Sequence, residues 1–581
     1  MSALRAPGLG PIIGHTTATS GRLWIRAKDP EDEGANLATD RRTVGVIGIV
    51  GTDPNDAGKK TITDAWYFRL QREFDRTGTF VLGEDVALGR HERDRQPDEP
   101  PGTAEKSKPL SPDTEYTVRM ATLSLDDPLP DDESLGDREL ADRLPPIANM
   151  AKMLLALPAE KCEARVRTFP KAVKPVESLT FLVGSCRYPG FLWKIKEADR
   201  IFGPMHRLVD PSRPDAARFT LMVGDQIYAD MLNMSIPILR ADTYAEFQSR
   251  YKEALGLPNM RRLLRAAPVY MILDDHEIED NWSQDRIHEQ GKHHVFNVAI
   301  GAYMSYQWSH GPRTWGRLLY YRFDCGGYPF FVLDTRTQRY KDAAVGLDDN
   351  HLLGRPAIDS AHPGQLQRLL DWLGAQPKDV PKFIVSASVF APNDMTERLD
   401  CDDADAMTNP GMFNRERRDA SDSWPAYPTT RRAVLDLVAS KGIQNVVFLT
   451  GDIHCSNIAR MRFLDRSGKE RDLYGYDITS SAFYWPFPFA DGDPNSYVHD
   501  STAPEQRDPF PAADGVMHYR AWAFTQEDNF CRVTVDKKAH ELRVEYFDRE
   551  GRPVPVTDET AGTGATPKLV KVNRLPLAPW T

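Results

Sequence analysis

Three short apolar runs in this chain, at 219–223, 269–273 and 446–449, each end directly in acidic and metal-ligating residues. The segments that follow them are Gly224-Asp225-Gln226-Ile227-Tyr228, Asp274-Asp275-His276-Glu277 and Gly451-Asp452-Ile453-His454. Apolar runs of this length, rich in Val, Ile and Phe and bounded by Gly or charge, read as buried strands. In an open α/β sheet, ligands bind beyond the carboxyl ends of the strands. Three such ends bring at least four carboxylates and two imidazoles towards one crevice. Like charges held that close repel unless cations sit among them, so the pattern predicts a metal site.

The residue types sharpen that expectation. Asp225 and Tyr228 are three apart, and a turn after the strand lets both face one ion; a phenolate favours Fe3+, a hard and highly charged ion. Cys186 closes its own run in Val183-Gly184-Ser185-Cys186-Arg187. Alone it reads as a small buried apolar residue; at a strand end beside the other segments it reads as a thiolate ligand, since coordination deprotonates a thiol. Asp452 and His454 are two apart, and extended backbone points i and i+2 the same way, towards neighbouring ions. The blander reading is a helix cap at Asp452 and a core His454. In Asp274-Asp275-His276-Glu277 one carboxylate can cap a following helix, which leaves Asp275 as a ligand and His276 as an outer-sphere or proton-transfer group. Asp334-Thr335-Arg336, with Arg339, closes another apolar run. These arginines suit a phosphoryl oxyanion, or they brace the loop through Asp334. The aromatic stretch 483–489 either lines a pocket or packs as core. No Gly-x-Ser-x-Gly elbow and no Gly-x-x-x-x-Gly-Lys-[Ser/Thr] loop occurs, which argues against a serine nucleophile and nucleotide-driven work.

At 581 residues the chain has room for several domains. Residues 10–170 look all-β, with strands expected at 16–27, 44–50, 65–71, 80–82 and 110–119 and polar inserts at 89–108 and 126–146. From about 178 short apolar runs alternate with helical stretches at 365–373 and 431–440, the signature of an α/β domain. Residues 521–547 return to alternation and read as strands completing a layer. The net charge of −11 gives no basic footprint, so no stable nucleic-acid partner is indicated. The six cysteines show no paired spacing, and no run reaches a membrane span. No secretory signal is visible at the start, so the expectation is a cytoplasmic protein; a removed signal would make it periplasmic or secreted. The oligomeric state is not legible.

Taken together, these motifs resemble the PhoD-like alkaline phosphatases, a branch of the calcineurin-like metallophosphoesterases. The resemblance is spread over 10–547 and rests on Gly14-His15-Thr16-Thr17-Ala18-Thr19-Ser20, 110–119, Gly184-Ser185-Cys186, Gly224-Asp225-Gln226-Ile227-Tyr228-Ala229-Asp230, Asp274-Asp275-His276-Glu277, Asp334-Thr335-Arg336, Asp422-Ser423-Trp424 with Tyr427, and Gly451-Asp452-Ile453-His454. It implies an α/β fold with a four-layer α/β/β/α metallophosphoesterase domain at 173–560, preceded by a fibronectin- or Ig-like β-sandwich at 1–172 and followed by a tail at 561–581. It implies Fe3+ held by Cys186, Asp225, Tyr228 and His454, and one or two Ca2+ using Asp225 as a bridge with Asp275 and Asp452. Mn2+, Mg2+ or Zn2+ are possible substitutes. Thiolate, phenolate and imidazole on iron and oxygens on calcium agree with ligand chemistry. The activity implied is hydrolysis of phosphomonoesters, phosphodiesters or both by direct attack of a metal-activated water or oxide. Arg336 and Arg339 would neutralise phosphoryl oxygens, and His276 would protonate the leaving oxygen. A phospholipase-D-like diesterase and an inactive binding protein on the same fold are the alternatives. The sequence departs from the family pattern at Arg187, where Gln is more usual, in the inserted look of 396–418, and in lacking a twin-arginine export signal.

Overall fold

The computed structural model describes residues 3–29, 43–54, 56–89, 105–125, 136–189, 195–230, 240–314, 316, 318–341, 349–355, 363–393, 403–408, 422–487, 497–560 and 566–581. The expected inserts at 89–108 and 396–418 lie largely outside these residues, as do residues 126–135 of the insert at 126–146 and Pro488 and Phe489 of the aromatic stretch; the rest of 126–146 carries the short helix Asp137–Ala141. The chain divides into two compact units. One comprises Met1–Lys171, Tyr251–Tyr270 and Gly301–Arg313, the other Ala172–Arg250, Met271–Ile300 and Thr314–Thr581.

The first unit holds a three-stranded sheet, Leu9–Thr16, Gly21–Arg26 and Thr77–Leu82, and a five-stranded sheet that includes Thr43–Asp53, Asp56–Arg69 and Glu115–Ser124. One apolar core joins them, with Leu23, Ile25 and Phe80 against Ile47, Trp66, Phe68, Val118 and Met120. Along Thr43–Asp53 the period of two is visible: Val44 and Val46 join a second core with Leu154 of the helix Ile147–Ala156, whereas Ile47 faces the first. The expected strand at 16–27 is in fact the end of one strand, a turn and a second strand. Thr16 pairs with Gly21 across that turn, so the hairpin partner Leu9–Thr16 escaped the sequence pattern.

The second unit is built on two larger sheets. The first runs, in spatial order, Val269–Ile272 (Met271 and Ile272 of which belong to this unit), Thr220–Val223, Ser178–Gly184, Asn529–Asp536, Glu541–Asp548 and Asn573–Pro576. The second contains eight strands, with Tyr328–Val332, Lys382–Val385, Val446–Thr450 and Gly475–Thr479 as adjacent parallel neighbours. The alternating stretch at 521–547 therefore serves both sheets: Gly515–Thr525 joins the second, and the next two strands join the first. The strands at 178–184 and 220–223 are apolar on both faces, as parallel strands buried on both sides require.

A phenylalanine cluster fastens the sheets to each other. Phe181 of the first meets Phe330 and Phe383 of the second edge-to-face at 5.4 and 5.3 Å, and Phe219 meets Phe323 and Phe330 at 5.4 Å. The next residue along, Phe331, points the other way and packs on Trp372 of the helix Gln365–Ala375. The helix Pro428–Lys441 buries Val434 and Leu435 in that same outer core. The architecture is thus mixed α/β with an additional N-terminal sheet region. Among the described residues no helix is long and apolar enough to cross a membrane.

Candidate metal centre

Strands from both sheets of the second unit end at one place. Ser178–Gly184 leads to Cys186, Thr220–Val223 to Asp225 and Tyr228, and Val269–Ile272 to Asp274–Glu277. From the other sheet, Tyr328–Val332 leads to Arg336 and Val446–Thr450 to Asp452 and His454. Their convergence needs glycine. A Cβ on Gly451 would lie 2.5 Å from Ser185 Oγ and 2.9 Å from the Val223 carbonyl oxygen. Gly224 has φ +92°, and a Cβ there would lie 2.4 Å from that of Asp274.

Four expected ligands themselves stand in the left-handed region: Cys186 (φ 56°), Asp225 (54°), Asp452 (76°) and His454 (50°). For non-glycine residues such backbone costs on the order of 1 kcal/mol or more, and it persists where neighbours over-determine it. Here they do. The Cys186 amide donates to Gly224 O at 3.2 Å, and the His454 amide to Ser481 Oγ at 3.1 Å. Glu277, fully buried, accepts the amides of Asp225 (3.1 Å), Gln226 (2.7 Å) and Asp274 (2.9 Å). The extended-backbone argument for Asp452 and His454 is therefore corrected: both residues reach the site from a left-handed turn, and no helix begins at Asp452.

The donor atoms fall into three groups, each within 4.8 Å: Cys186, Asp225 and His454; Asp225, Asp275 and His276; and Asp225, Asp274, Asp275 and Asp452. Asp225 belongs to all three. The Tyr228 hydroxyl lies 3.3 Å from His454 Nε2, beside the first group. The Cys186 sulfur is 3.5 Å from Asp225 Oδ2. Rings fix the imidazoles: Trp485 lies parallel to His454 at 3.6 Å, and Tyr228 stacks on His276 at 4.2 Å. His276 Nδ1 is also 2.8 Å from Asp230 Oδ1.

Crowding dominates the electrostatics. Burial, then Cys186, Asp275 and Asp274, push the Asp225 carboxyl well above the usual range. Burial with Asp274 and Asp422 does the same to Asp452, and burial raises Asp274 to about 6 against the pull of Arg336. Burial also raises the Cys186 thiol, and Asp452 adds to it. Asp275 goes the other way: burial would raise it, but Arg336 and His276 hold it low. Burial would also neutralise His276, yet Asp275 and Asp230 raise it to about 10.

The arginines are not paired with Asp334, whose side chain instead caps its own turn by accepting the Arg336 and Thr337 amides at 3.1 and 2.9 Å. Arg336, fully buried, is held by Asp274 through Nε, and its Nη2 lies 2.5 Å from Asp422 and 3.4 Å from both Asp275 and Asp452. Arg339 donates from Nε to Thr335 O at 2.7 Å, and its two terminal nitrogens reach Asp422 and Ser388. Asp422, Asp274 and Glu277 thus carry roles that the sequence reading left unassigned. Asp422 was visible only as part of a motif, with no partner in its own neighbourhood.

The donor set fits metal ions. Hard oxygens dominate one half, and thiol, phenol and imidazole mark the other. Asp274 Oδ2 and Asp275 Oδ1 are buried and accept no hydrogen bond, and the carboxyls pushed upward by their neighbours are those that a cation would restore to the charged form. These features place the chain among α/β proteins that gather ligands at sheet ends to hold ions. The sequence model of the family described as PhoD-like phosphatase matches residues 190–488, just over half the chain, and the chain belongs to that family. The matched stretch contains every expected ligand except Cys186, which precedes it. Alkaline phosphatase D of Bacillus subtilis (strain 168) is 27% identical over 224 residues, which is 37% of this chain and 36% of that protein. The alignment thus spans little more than a third of that relative. A solved structure of PhoD superposes with a TM-score of 0.60 at 19% identity, covering 95% of this chain and 90% of that one, a likeness of fold.

Proposed function

We propose that this protein is a metal-dependent phosphoesterase that hydrolyses phosphomonoesters, phosphodiesters or both. The observation that carries the reading is Asp225, common to all three donor groups in a member of the PhoD-like phosphatase family. Cys186, Asp225, Tyr228 and His454 would hold Fe3+, and Asp225, Asp275 and Asp452 one or two Ca2+, with Mn2+, Mg2+ or Zn2+ as substitutes. When bound, the ions supply Lewis acidity and a water of lowered pKa as nucleophile.

The chain's own groups do the rest. Arg336 has one buried nitrogen, Nη1, with no hydrogen-bond partner, a donor suited to a phosphoryl oxygen. The nitrogens of Arg339 are engaged by Thr335, Asp422 and Ser388, so its part is to add positive charge and to hold Asp422. His276, oriented by Asp230 on Nδ1 and by the Tyr228 ring, has its Nε2 at 3.9 Å from Asp280 Oδ1 and would deliver a proton from that nitrogen to the leaving oxygen. A phosphate-ester substrate is the only partner this reading requires.

The test is hydrolysis of p-nitrophenyl phosphate and bis(p-nitrophenyl) phosphate alongside metal analysis and a visible spectrum. Asp225→Asn is expected to lose at least about 100-fold in rate, and undiminished hydrolysis by that variant removes the reading. A Tyr228–Fe3+ bond predicts a purple charge-transfer band. A colourless, iron-free protein of full activity removes the iron assignment and leaves the phosphoesterase.

A further inference from the structure

Arg336 presents a problem for any ion bound beside it. Its guanidinium is permanently charged, and its Nη2 is 3.4 Å from both Asp275 Oδ1 and Asp452 Oδ2, two carboxylates of the same donor group that would hold a metal. Two cations then compete for one set of oxygens. The nearest partner of that nitrogen is Asp422 Oδ2, at 2.5 Å. Asp422 belongs to none of the donor groups. Its second oxygen ion-pairs with Arg339 Nη1, and Arg339 is itself anchored to Thr335 O at 2.7 Å, to Ser388 Oγ and over the Tyr427 ring at 5.3 Å. Asp422 is therefore fixed by Arg339, while the Nε side of Arg336 is fixed by Asp274, itself a member of that donor group.

We propose that Asp422 is a positioning residue that holds the Arg336 guanidinium back from the metal-ligand carboxylates. The inference rests on the metal reading above and adds to it a residue that touches neither ion nor substrate. Without the Asp422 charge, the partners given for Nη2 are Asp275 and Asp452, and the guanidinium is drawn onto the oxygens that an ion needs. Neutralising a carboxylate that binds no metal then weakens metal binding, and it does so only while Arg336 is present.

A double-mutant cycle tests this, because the effect runs through one named partner. Calcium is titrated calorimetrically into the full chain as wild type, Asp422→Asn, Arg336→Gln and the double variant. Asp422→Asn is expected to bind calcium at least tenfold more weakly than wild type. Arg336→Gln should bind at least as tightly as wild type, and adding Asp422→Asn to it should change the affinity less than twofold. Affinity of Asp422→Asn within twofold of wild type overturns the proposal. An equal loss with Arg336 absent also overturns it, by showing that Asp422 acts on the ion itself. If Arg336→Gln shows no cooperative thermal transition, Arg336→Met, which is also uncharged and fills a similar volume, takes its place in the cycle. Wild type that binds no calcium overturns the calcium assignment along with this role, whereas wild type that binds and an indifferent Asp422→Asn overturn this role alone.

Discussion

Replacing Glu277 by Gln removes one charge and one acceptor, and the consequences can be worked out bond by bond. Glu277 Oε2 accepts the amides of Asp225 and Asp274, and Oε1 accepts that of Gln226. Glutamine offers a single oxygen, best used where two amides converge. Its NH2 group then faces the Gln226 N–H, donor against donor. A buried orphan donor costs about 1–3 kcal/mol, and the two surviving bonds fall from charge-assisted to neutral strength, about 1 kcal/mol each. Relief of repulsion with Asp225, which Glu277 helps to crowd, acts in the opposite direction, so the net local loss is set at about 2–4 kcal/mol. Amide hydrogen exchange reads this directly as local opening. Exchange at Asp225, Gln226 and Asp274 is expected to accelerate by about 30-fold or more, most at Gln226, while the strand Asn529–Asp536 is unchanged. Exchange at these amides within twofold of wild type would refute the claim that this carboxylate sets the backbone of two strand ends.

Other perturbations reach different parts of the same framework. Tyr228→Phe should abolish any visible charge-transfer band while leaving the thermal transition within a few degrees of wild type; a retained band means that another residue binds the iron. Gly451→Ala should destabilise the second unit by about 1–3 kcal/mol in urea unfolding, because its Cβ would meet the Val223 backbone oxygen at 2.9 Å; unchanged stability contradicts the close approach of the sheets. Phe181→Ala should cost about 3–5 kcal/mol, since the ring meets three others between the sheets. Asp477, fully buried, has its carboxyl pushed up to about 7 by burial despite the Ala391 and Phe390 amides and the Thr450 hydroxyl. A carboxyl raised on folding binds its proton more tightly in the native state, so its contribution is full below about pH 4 and is lost as pH rises to about 7. Wild-type stability should therefore decline across that window by at most about 4 kcal/mol from this group, and Asp477→Asn, measured at the same pH values, should lack that part of the slope.

What could be read in the chain and what could not follow from the range of the interactions concerned. The strands ending at Val223, Ile272 and Thr450 are local events, legible because each is a short apolar run with a charged stop. Two strands that follow Thr450 were not legible. Ser456–Asp465 carries Arg460 and Arg462 outward, where Glu559 and Glu470 pair with them, and Gly475–Thr479 has the buried Asp477 at its centre. The charges at the outward positions of the first and at the centre of the second are satisfied by groups 8 to 99 residues away, which no periodicity reports. Asp422 follows the same logic: its partners Arg336 and Arg339 are more than 80 residues away. The convergence of the expected ligand residues was legible for a different reason. Cys, Tyr, His and Asp at strand ends announce their chemistry by type, so their convergence needed only the topology rule for α/β sheets. Their backbone did not announce itself. Asp452 and His454 read as side-by-side neighbours on extended chain, and they meet the site through left-handed turns whose stability comes from Ser481 and the Asp452 carbonyl. A sequence reading therefore succeeds here where a residue's own chemistry decides its role. It fails where a polar residue's role is decided by the charge it restrains, and for that reason the Asp422–Arg336 pair is the more demanding test of the physical account than any single ligand.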